Sequence, residues 1–213
     1  MTQRIVCIGG GGHAVVVIDT LQMIASTSGL EIAGFIAPAD ANTDVLGVPR
    51  LGDDADLARL VSELGLTHFI VAVGSTRGGN TTRRRLFDNA VAAGLAPFTA
   101  VHPAASIARS ASLGEGSVVM AGAVVQPRTA IGRNVILNTR SSVDHDCRIG
   151  DNVHVAPGAV LCGAVVLEDG VHVGAGAVVL QNLRIGQGAT IAAGATVVRD
   201  VAAGALVKGT PAG

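Results

Sequence analysis

An aliphatic residue stands at every sixth position through the second half of this chain. Steps of six from Ile107 to Val197 give sixteen positions, and each of them is Ile, Leu or Val. Because these residue types make up about a third of the segment, sixteen consecutive matches have a chance probability on the order of 10⁻⁸. So short a fixed period predicts repeated turns of short β-strands, and residues 105–201 are expected to form a parallel β-helix.

A second series follows each aliphatic residue by four positions and runs from Ala111 to Val201. Its members are mostly small or β-branched, which suits the inside of a narrow coil. Three sides of six residues make one 18-residue coil, and about five parallel coils fit at the strand spacing of about 4.8 Å. The chain has 29 Gly, four Phe and no Trp or Tyr, so aliphatic side chains must fill this interior. Glycine adjoins the aliphatic residue at five expected corners: Gly114, Gly132, Gly150, Gly174 and Gly186.

The first half of the chain alternates short aliphatic runs with stretches of helical periodicity. This order predicts a small Rossmann-like α/β domain with a parallel sheet over residues 1–102, followed by the β-helix domain over residues 103–213. The predicted strands are RIVCI, IAGFI and HFIVAVG, and the predicted helices are residues 13 to about 26, DADLARLVSELG and NTTRRRLFDNAVAAG.

Charge and hydropathy narrow the range of partners. The formal net charge is -1, so no global field favours nucleic acid or an anionic membrane. No apolar run reaches the roughly 18 residues of a membrane span, and the first residues lack the pattern of a signal peptide. We therefore expect a cytoplasmic protein whose partners are small molecules or copies of itself. Three cysteines argue against a disulfide framework, and Cys147 falls in the inward series, where burial keeps a thiol unreactive.

The segment SSVDHDC is the first candidate for chemistry. It holds His145 between Asp144 and Asp146 at a corner of the coil. A neutral imidazole held by a carboxylate is a common general base, although such a corner can also simply satisfy the hydrogen bonds of a turn. The 18-residue period puts Gly163 one coil above His145. Because glycine has no side chain, this position leaves open space above the imidazole ring for a thioester.

A glycine-rich turn at residues 9–12 is the second candidate. It follows a strand and opens a helix at His13, so its N–H groups can cradle a diphosphate. Ala37 and Pro38 stand where a dinucleotide-binding domain carries an acidic residue, which disfavours dinucleotide chemistry. The arginine run at residues 83–85 is expected to form a solvated helix face rather than a phosphate contact.

The repeat resembles the hexapeptide-repeat acyltransferases, which implies left-handed coils and homotrimers with active sites between subunits. The segment VILNTRSSVDHDCRIGDNVHVAPGAVLCG is similar to the bacterial family of sialic-acid O-acetyltransferases and nucleotide-amino-sugar N-acetyltransferases. This narrower resemblance extends over nearly the whole chain. It implies direct transfer of acetyl from acetyl-CoA to the amine of a nucleotide-linked amino sugar in bacterial glycan biosynthesis, such as that of lipopolysaccharide.

The resemblance also implies roles for individual residues. His145 would be the general base and Asp146 its partner. Uridine-binding members often carry paired acidic residues where this chain has Ala37 and Pro38, so a GDP-perosamine type of acceptor stays open beside a UDP-4-amino sugar. Acetyl-CoA would contact Asn138, His154, Gly163 through its N–H, Ala175, Ala193 and Lys208. The nucleotide sugar would contact Gly11, Gly12, His13, Val73 and Gly74, next to Ala37 and Pro38.

Three alternatives remain from the sequence. One is O-acetylation of a sialic-acid-type sugar, and another is a non-catalytic trimeric scaffold that binds nucleotides. The third is a zinc site formed by His145, His154 and His172, as in the trimeric carbonic anhydrases that share the β-helix. The spacings here do not resemble those of the zinc enzymes, so no metal is expected.

Overall fold

A computed structural model describes residues 3–74 and 81–211 of the chain. Their contacts divide them into two compact units, one of residues 3–74 with 82–103 and one of residues 104–211. None of the described helices is long and apolar enough to cross a membrane.

The first unit is an α/β fold around one sheet. Among the described strands the sheet order is β3-β4-β2-β1-β5-β6, and all neighbours are parallel except β3 and β4. This arrangement confirms the predicted parallel α/β fold. The elements are β1 (Arg4–Ile8), α1 (Gly12–Ser28), β2 (Glu31–Ile36), β3 (Asp44–Val45), β4 (Val48–Gly52), a 3-10 turn (Asp54–Asp56), α2 (Leu57–Leu64), β5 (His68–Val71), α3 (Thr81–Ala92), β6 (Ala96–Pro97) and β7 (Ala100–Val101).

The sequence missed the hairpin of β3 and β4. Its turn residues Leu46 and Gly47 have φ of 52° and 80°, and the left-handed conformation of two successive residues suits a two-residue hairpin turn. The predicted second helix begins as a 3-10 turn, where the Asp53 carboxylate accepts the Ala55 N–H and Asp56 accepts the Asp53 N–H. Asn80, the first residue of the predicted third helix, lies outside the described residues.

The second unit is built from strands of two residues at intervals of six. From β8 to β23 the second residue of each strand is one of the sixteen predicted aliphatic positions. The strands are β8 (Ser106–Ile107), β9 (Ser112–Leu113), β10 (Val118–Val119), β11 (Val124–Val125), β12 (Ala130–Ile131), β13 (Ile136–Leu137), β14 (Ser142–Val143), β15 (Arg148–Ile149), β16 (His154–Val155), β17 (Val160–Leu161), β18 (Val166–Leu167), β19 (His172–Val173), β20 (Val178–Val179), β21 (Arg184–Ile185), β22 (Thr190–Ile191), β23 (Thr196–Val197) and β24 (Leu206–Val207).

These strands form the three sides of a triangular prism. Side 1 contains β10, β13, β16, β19, β22 and β24, side 2 contains β8, β11, β14, β17, β20 and β23, and side 3 contains β9, β12, β15, β18 and β21. Each strand up to β23 pairs in parallel with the strand 18 residues away, as Ile136 does with His154. The last coil is shorter, because Thr190 pairs with Leu206.

The corners bring successive coils into close contact. At Gly132 an added Cβ would lie 2.7 Å from the carbonyl carbon of Gly150, so no side chain fits between these two corners. Inside the prism both predicted series are mostly buried, and Cys147 is among the residues with no exposed surface. The prism therefore places its aliphatic series inward.

Candidate active site

One polar cluster lies at the corner between sides 2 and 3. His145 is in the turn that joins β14 to β15, and its Nδ1 lies 2.7 Å from Oδ2 of Asp146. Arg128, one coil away, donates from Nε to Oδ1 at 2.6 Å and from Nη2 to Oδ2 at 2.7 Å. Asp146 thus receives three hydrogen bonds from charged or polar side chains. We call Arg128, His145 and Asp146 the base cluster.

The electrostatics of the base cluster determine which ring nitrogen carries the proton. The Arg128 guanidinium, with a smaller effect from the His145 hydrogen bond, holds the pKa of Asp146 well below its usual range. An ionised carboxylate only accepts hydrogen bonds, so the proton of a neutral His145 ring is on Nδ1. Its Nε2 then has a free lone pair, as a general base requires.

Gly163 lies directly against the His145 ring. A Cβ on Gly163 would come within 2.7 Å of Cε1 and 2.9 Å of Nε2 of that ring. Cys162 and Ala164 donate their N–H groups to Val179 and His145 of the adjacent coils, while the Gly163 N–H makes no backbone hydrogen bond among the described residues. That N–H is the kind of donor that can stabilise an oxyanion.

A second set of predicted residues lies along the corner between sides 1 and 2. The exposed Ala175 and Ala193 are stacked there, 18 residues apart, and the N–H of Gly194 donates to the Ala175 carbonyl at 2.8 Å. The exposed Lys208 directly follows β24, in register with this corner. With Asn138 and the buried His154 these residues form what we call the alanine edge.

Asn138 and His154 fix each other's orientation. Asn138 Oδ1 accepts the Thr139 N–H at 2.8 Å, so its amide nitrogen points to Nε2 of His154 at 3.1 Å. Because an amide NH₂ only donates, His154 accepts at Nε2 and carries its proton on Nδ1. The ring also packs edge-on against His172, with ring centroids 5.1 Å apart.

Within one chain the base cluster and the alanine edge occupy different corners. Side 2, here the strand Ser142–Val143 and its flanking turns, separates them. A six-residue side spans about 20 Å at the rise of a β-strand. The sequence did not reveal this separation.

The predicted nucleotide-binding residues surround the glycine turn of the first unit. Gly11 is the extended N-cap of α1 and Gly12 its first residue, and a Cβ on either would meet none of the described atoms within 4 Å. A Cβ on Gly10 would lie 3.0 Å from the Cβ of Ala37, and one on Gly74 would lie 3.5 Å from the Cβ of His13.

The other two residues of this set border the same turn. A Cβ on Gly9 would lie 2.7 Å from Cγ2 of Val73. Pro38 is exposed beside the buried Ala37. The turn therefore has open space beside Gly11 and Gly12 at a helix N-terminus and close walls on both flanks, which suits a diphosphate.

The prediction that the arginine run at residues 83–85 faces solvent is wrong for Arg83. This side chain is buried and donates from Nη1 to the carbonyl of Val73, and burial lowers its pKa to about 9. Arg84 and Arg85 are exposed as predicted, with side chains 71% and 57% accessible. The helical period explains the difference, because it puts Arg83 on the same buried face as Leu86.

We expect His13 to make folding pH-dependent. Burial, helped by the positive charge of Arg83, lowers the pKa of His13 to about 4 from an ordinary value of 6.5. Below pH 6.5 the unfolded chain takes up a proton that the fold does not, so the free energy of unfolding decreases as the pH falls towards 4. The shift corresponds to a loss on the order of 3 kcal/mol.

Urea unfolding at about pH 7 and about pH 4.5, for the wild type and for His13→Gln, measures this loss. Between the two pH values the wild type should lose more free energy of unfolding than His13→Gln does. Equal pH dependence in both would contradict the prediction.

Cys147 is a core residue and not a nucleophile. Its thiol donates to the Cys162 carbonyl at 3.2 Å, and burial raises its pKa to about 11. All three cysteines are free thiols.

We predict that Cys147→Ala retains acyl transfer and lowers the free energy of unfolding by about 1 kcal/mol. Steady-state rates and thermal unfolding test this, and a folded variant without activity would restore the nucleophile hypothesis.

The three histidines considered as zinc ligands do not converge in the part of the chain that the structure describes. His145 belongs to the base cluster, whereas His154 and His172 lie on side 1. Among the described residues, no three His, Cys, Asp or Glu side chains are grouped as metal ligands.

Comparison with known proteins agrees with this architecture. The PglD N-terminal domain model matches residues 4–90, and the bacterial transferase hexapeptide model, of six repeats, matches residues 128–163 and 164–199. A crystallised variant of perosamine N-acetyltransferase from Caulobacter crescentus, in complex with CoA and GDP-perosamine, is 38% identical. It has a TM-score of 0.90, and the match covers 100% of this chain and 97% of that chain.

Two further relatives have similar identities. The acetyltransferase domain of PglB from Neisseria gonorrhoeae, in complex with acetyl coenzyme A, is 36% identical with a TM-score of 0.89, over 100% of this chain and 99% of that one. GDP-perosamine N-acetyltransferase from Escherichia coli O157:H7 is 37% identical over 101 residues, which is 47% of this chain and 44% of that protein. The match thus spans less than half of the length of this curated relative.

The chain therefore belongs to the hexapeptide-repeat acyltransferase family that includes the nucleotide-amino-sugar N-acetyltransferases. The predicted family and the predicted left-handed β-helix are both confirmed.

Proposed function

We propose that this chain transfers the acetyl group of acetyl-CoA to the amine of a nucleotide-linked amino sugar. The observation that carries the proposal is the base cluster, in which His145 presents Nε2 beside the open backbone of Gly163. Relatives of similar fold that were crystallised with CoA, GDP-perosamine or acetyl-CoA support it.

In the proposed reaction the sugar amine attacks the carbonyl carbon of the thioester directly. As the C–N bond forms, Nε2 of His145 takes the proton from the nitrogen and the Gly163 N–H donates to the carbonyl oxygen as it gains charge. The C–S bond then breaks, and protonated His145 gives its proton to the departing thiolate. Asp146 accepts the hydrogen bond from Nδ1 throughout. No covalent acyl-enzyme is needed.

The alanine edge is the proposed binding site for acetyl-CoA. Ala175 and Ala193 are small and exposed, Asn138 and His154 lie on the same edge, and Lys208 supplies a positive charge for a phosphate. This edge is one side of the prism away from His145 of the same chain. We therefore propose a homotrimer in which the base cluster of one subunit faces the alanine edge of its neighbour.

The glycine turn is the proposed site for the nucleotide diphosphate. Gly11 and Gly12 present N–H groups at the N-terminus of α1, where the helix dipole favours an anion. His13, whose pKa is low, would contact the diphosphate as a neutral ring. Ala37 and Pro38 replace the acidic pair of uridine-binding members, which favours a GDP-linked acceptor of the perosamine type over a UDP-4-amino sugar.

Release of CoA measures this activity. The protein is mixed with acetyl-CoA and a GDP-4-amino sugar, a UDP-4-amino sugar or a sialic-acid-type sugar, and the free thiol is followed with a chromogenic reagent. The partly exposed Cys162 requires a blank without acceptor. We expect the largest kcat/KM with the GDP-amino sugar and an N-acetylated product by mass spectrometry.

Each other result has a distinct meaning. Release only with the sialic-acid-type sugar would indicate O-acetylation. Absence of release with every acceptor, together with thermal stabilisation by GDP or UDP, would indicate a nucleotide-binding scaffold. Sedimentation equilibrium tests the trimer, and a monomer that retains full activity would contradict the shared site.

A further inference from the structure

We infer that Arg128 is a positioning residue for the reaction and acts through Asp146 on His145. The inference rests on the proposed function, since it assumes that His145 is the base. Its starting point is geometric. Both oxygens of Asp146 accept from Arg128, at 2.6 and 2.7 Å, and Oδ2 also accepts from His145 Nδ1 at 2.7 Å.

The stacking of the coils produces this contact. Arg128 and Asp146 are 18 residues apart, and both have a left-handed backbone, with φ of 61° and 62°. The Arg128 N–H donates to Ser110 Oγ at 3.1 Å, and the Asp146 N–H donates to the Pro127 carbonyl at 3.1 Å. Each backbone is therefore held to the coil before it, and the two side chains meet along the edge of the prism.

The ion pair contributes little to stability, because the Arg128 side chain is 70% exposed and exposed pairs are screened by solvent. The effect of the ion pair is instead to orient the Asp146 carboxylate. A single hydrogen bond from histidine would let the carboxylate rotate, whereas the planar guanidinium fixes the plane of the carboxylate with two parallel bonds. The carboxylate in turn fixes the ring, so that Nε2 faces Gly163. Without Arg128 the carboxylate can turn away from Nδ1, and the ring is then free to adopt the other tautomer, which cannot accept a proton at Nε2.

A second pair in the prism offers a matched control. Arg133 donates from Nη2 to Oδ2 of Asp151 at 3.1 Å, across the same 18-residue step and on an exposed corner, but no histidine is part of that pair. Arg133→Gln therefore removes an exposed arginine–aspartate pair of the same spacing and leaves the base cluster intact.

We expect Arg128→Gln to lower kcat by about 10-fold and to change KM by less than about twofold, because the ring is misplaced rather than removed. Arg128→Lys keeps the charge but not the two parallel bonds, so it should recover only part of the rate. Arg133→Gln should keep the wild-type kcat. Thermal unfolding should place all three variants close to the wild type.

Nitrogen-15 NMR of the His145 ring, without substrate, gives a readout that does not depend on activity. The wild type should show mainly the Nδ1-protonated tautomer, and Arg128→Gln a mixture. In a His145→Ala background Arg128→Gln should cause no additional loss of rate. Wild-type kcat with an unchanged tautomer in Arg128→Gln, or an additional loss in the double variant, would overturn the inference.

Failure of the proposed function gives a different pattern. A fully active His145→Ala would remove the base from the mechanism, while the tautomer measurement would still report whether Arg128 orients the ring.

Discussion

His145→Ala is expected to lower kcat by at least about 10²-fold with little change in KM or in thermal stability. In the proposed reaction the variant removes the group that takes up the proton released when nitrogen attacks the thioester. The fold should tolerate the change, because the side chain is 59% exposed and lies at a corner outside the buried series. Steady-state CoA release and thermal unfolding, measured on the same preparation, test both parts.

A histidine outside the proposed machinery is the control. His68 begins β5 of the first unit, where its Nδ1 lies 2.8 Å from Thr67 Oγ1, and His68→Ala should keep the wild-type rate. An amine is a better nucleophile than a hydroxyl, so His145→Ala should leave more residual rate with an amino sugar than with a hydroxyl acceptor. Nearly full transfer by His145→Ala would refute the assignment of the base.

Gly163→Ala is expected to lower kcat by about 10- to 100-fold and to leave the fold intact. The new methyl group would lie 2.7 Å from Cε1 and 2.9 Å from Nε2 of His145, closer than unbonded atoms approach. The ring is exposed and held on one side only, by Asp146, so the conflict is relieved by displacing the ring. A displacement of about 1 Å suffices for such a loss. Since the φ of Gly163 is outside the left-handed region, alanine adds no backbone strain.

Double variants separate this effect from a general disturbance of the coil. In a His145→Ala background the added methyl group meets no ring, so Gly163→Ala should cost no further rate. Thermal unfolding of Gly163→Ala should stay close to the wild type. A wild-type kcat for Gly163→Ala, beside a strongly impaired His145→Ala, would mean that the ring works in another position.

The β-helix was predictable because its rule is local. Each two-residue strand buries its second residue, and the corner after it turns the chain by a third of a coil, so the aliphatic series repeats every six residues. The hairpin of β3 and β4 has no such period. Its two-residue strand β3 depends on pairing with Val48–Gly52, and pairing partners are not visible in a short run of sequence.

Two arginine contacts, one in each unit, also could not be predicted from the sequence alone. Arg83 follows a helical period, but only the packing of α3 shows that the side chain reaches the carbonyl of Val73, two residues after β5. Arg128 and Asp146 are separated by one coil period, so the sequence contained a signal for their contact. That signal is incomplete, because an 18-residue spacing puts two residues in the same stack without showing that their side chains meet.

The sequence by itself determined the prism, its inward series, the corner position of His145 and the family, since all of these depend on a period and a motif along the chain. Only the tertiary structure decided that Arg128 holds Asp146, that Gly163 touches the imidazole, and that Asn138 and His154 lie a full side away from His145. These are contacts and separations across coils, and they depend on side-chain directions at the corners rather than on spacing. The two corners explain why one chain carries the base and the alanine edge apart, and why the proposed site needs a neighbouring subunit.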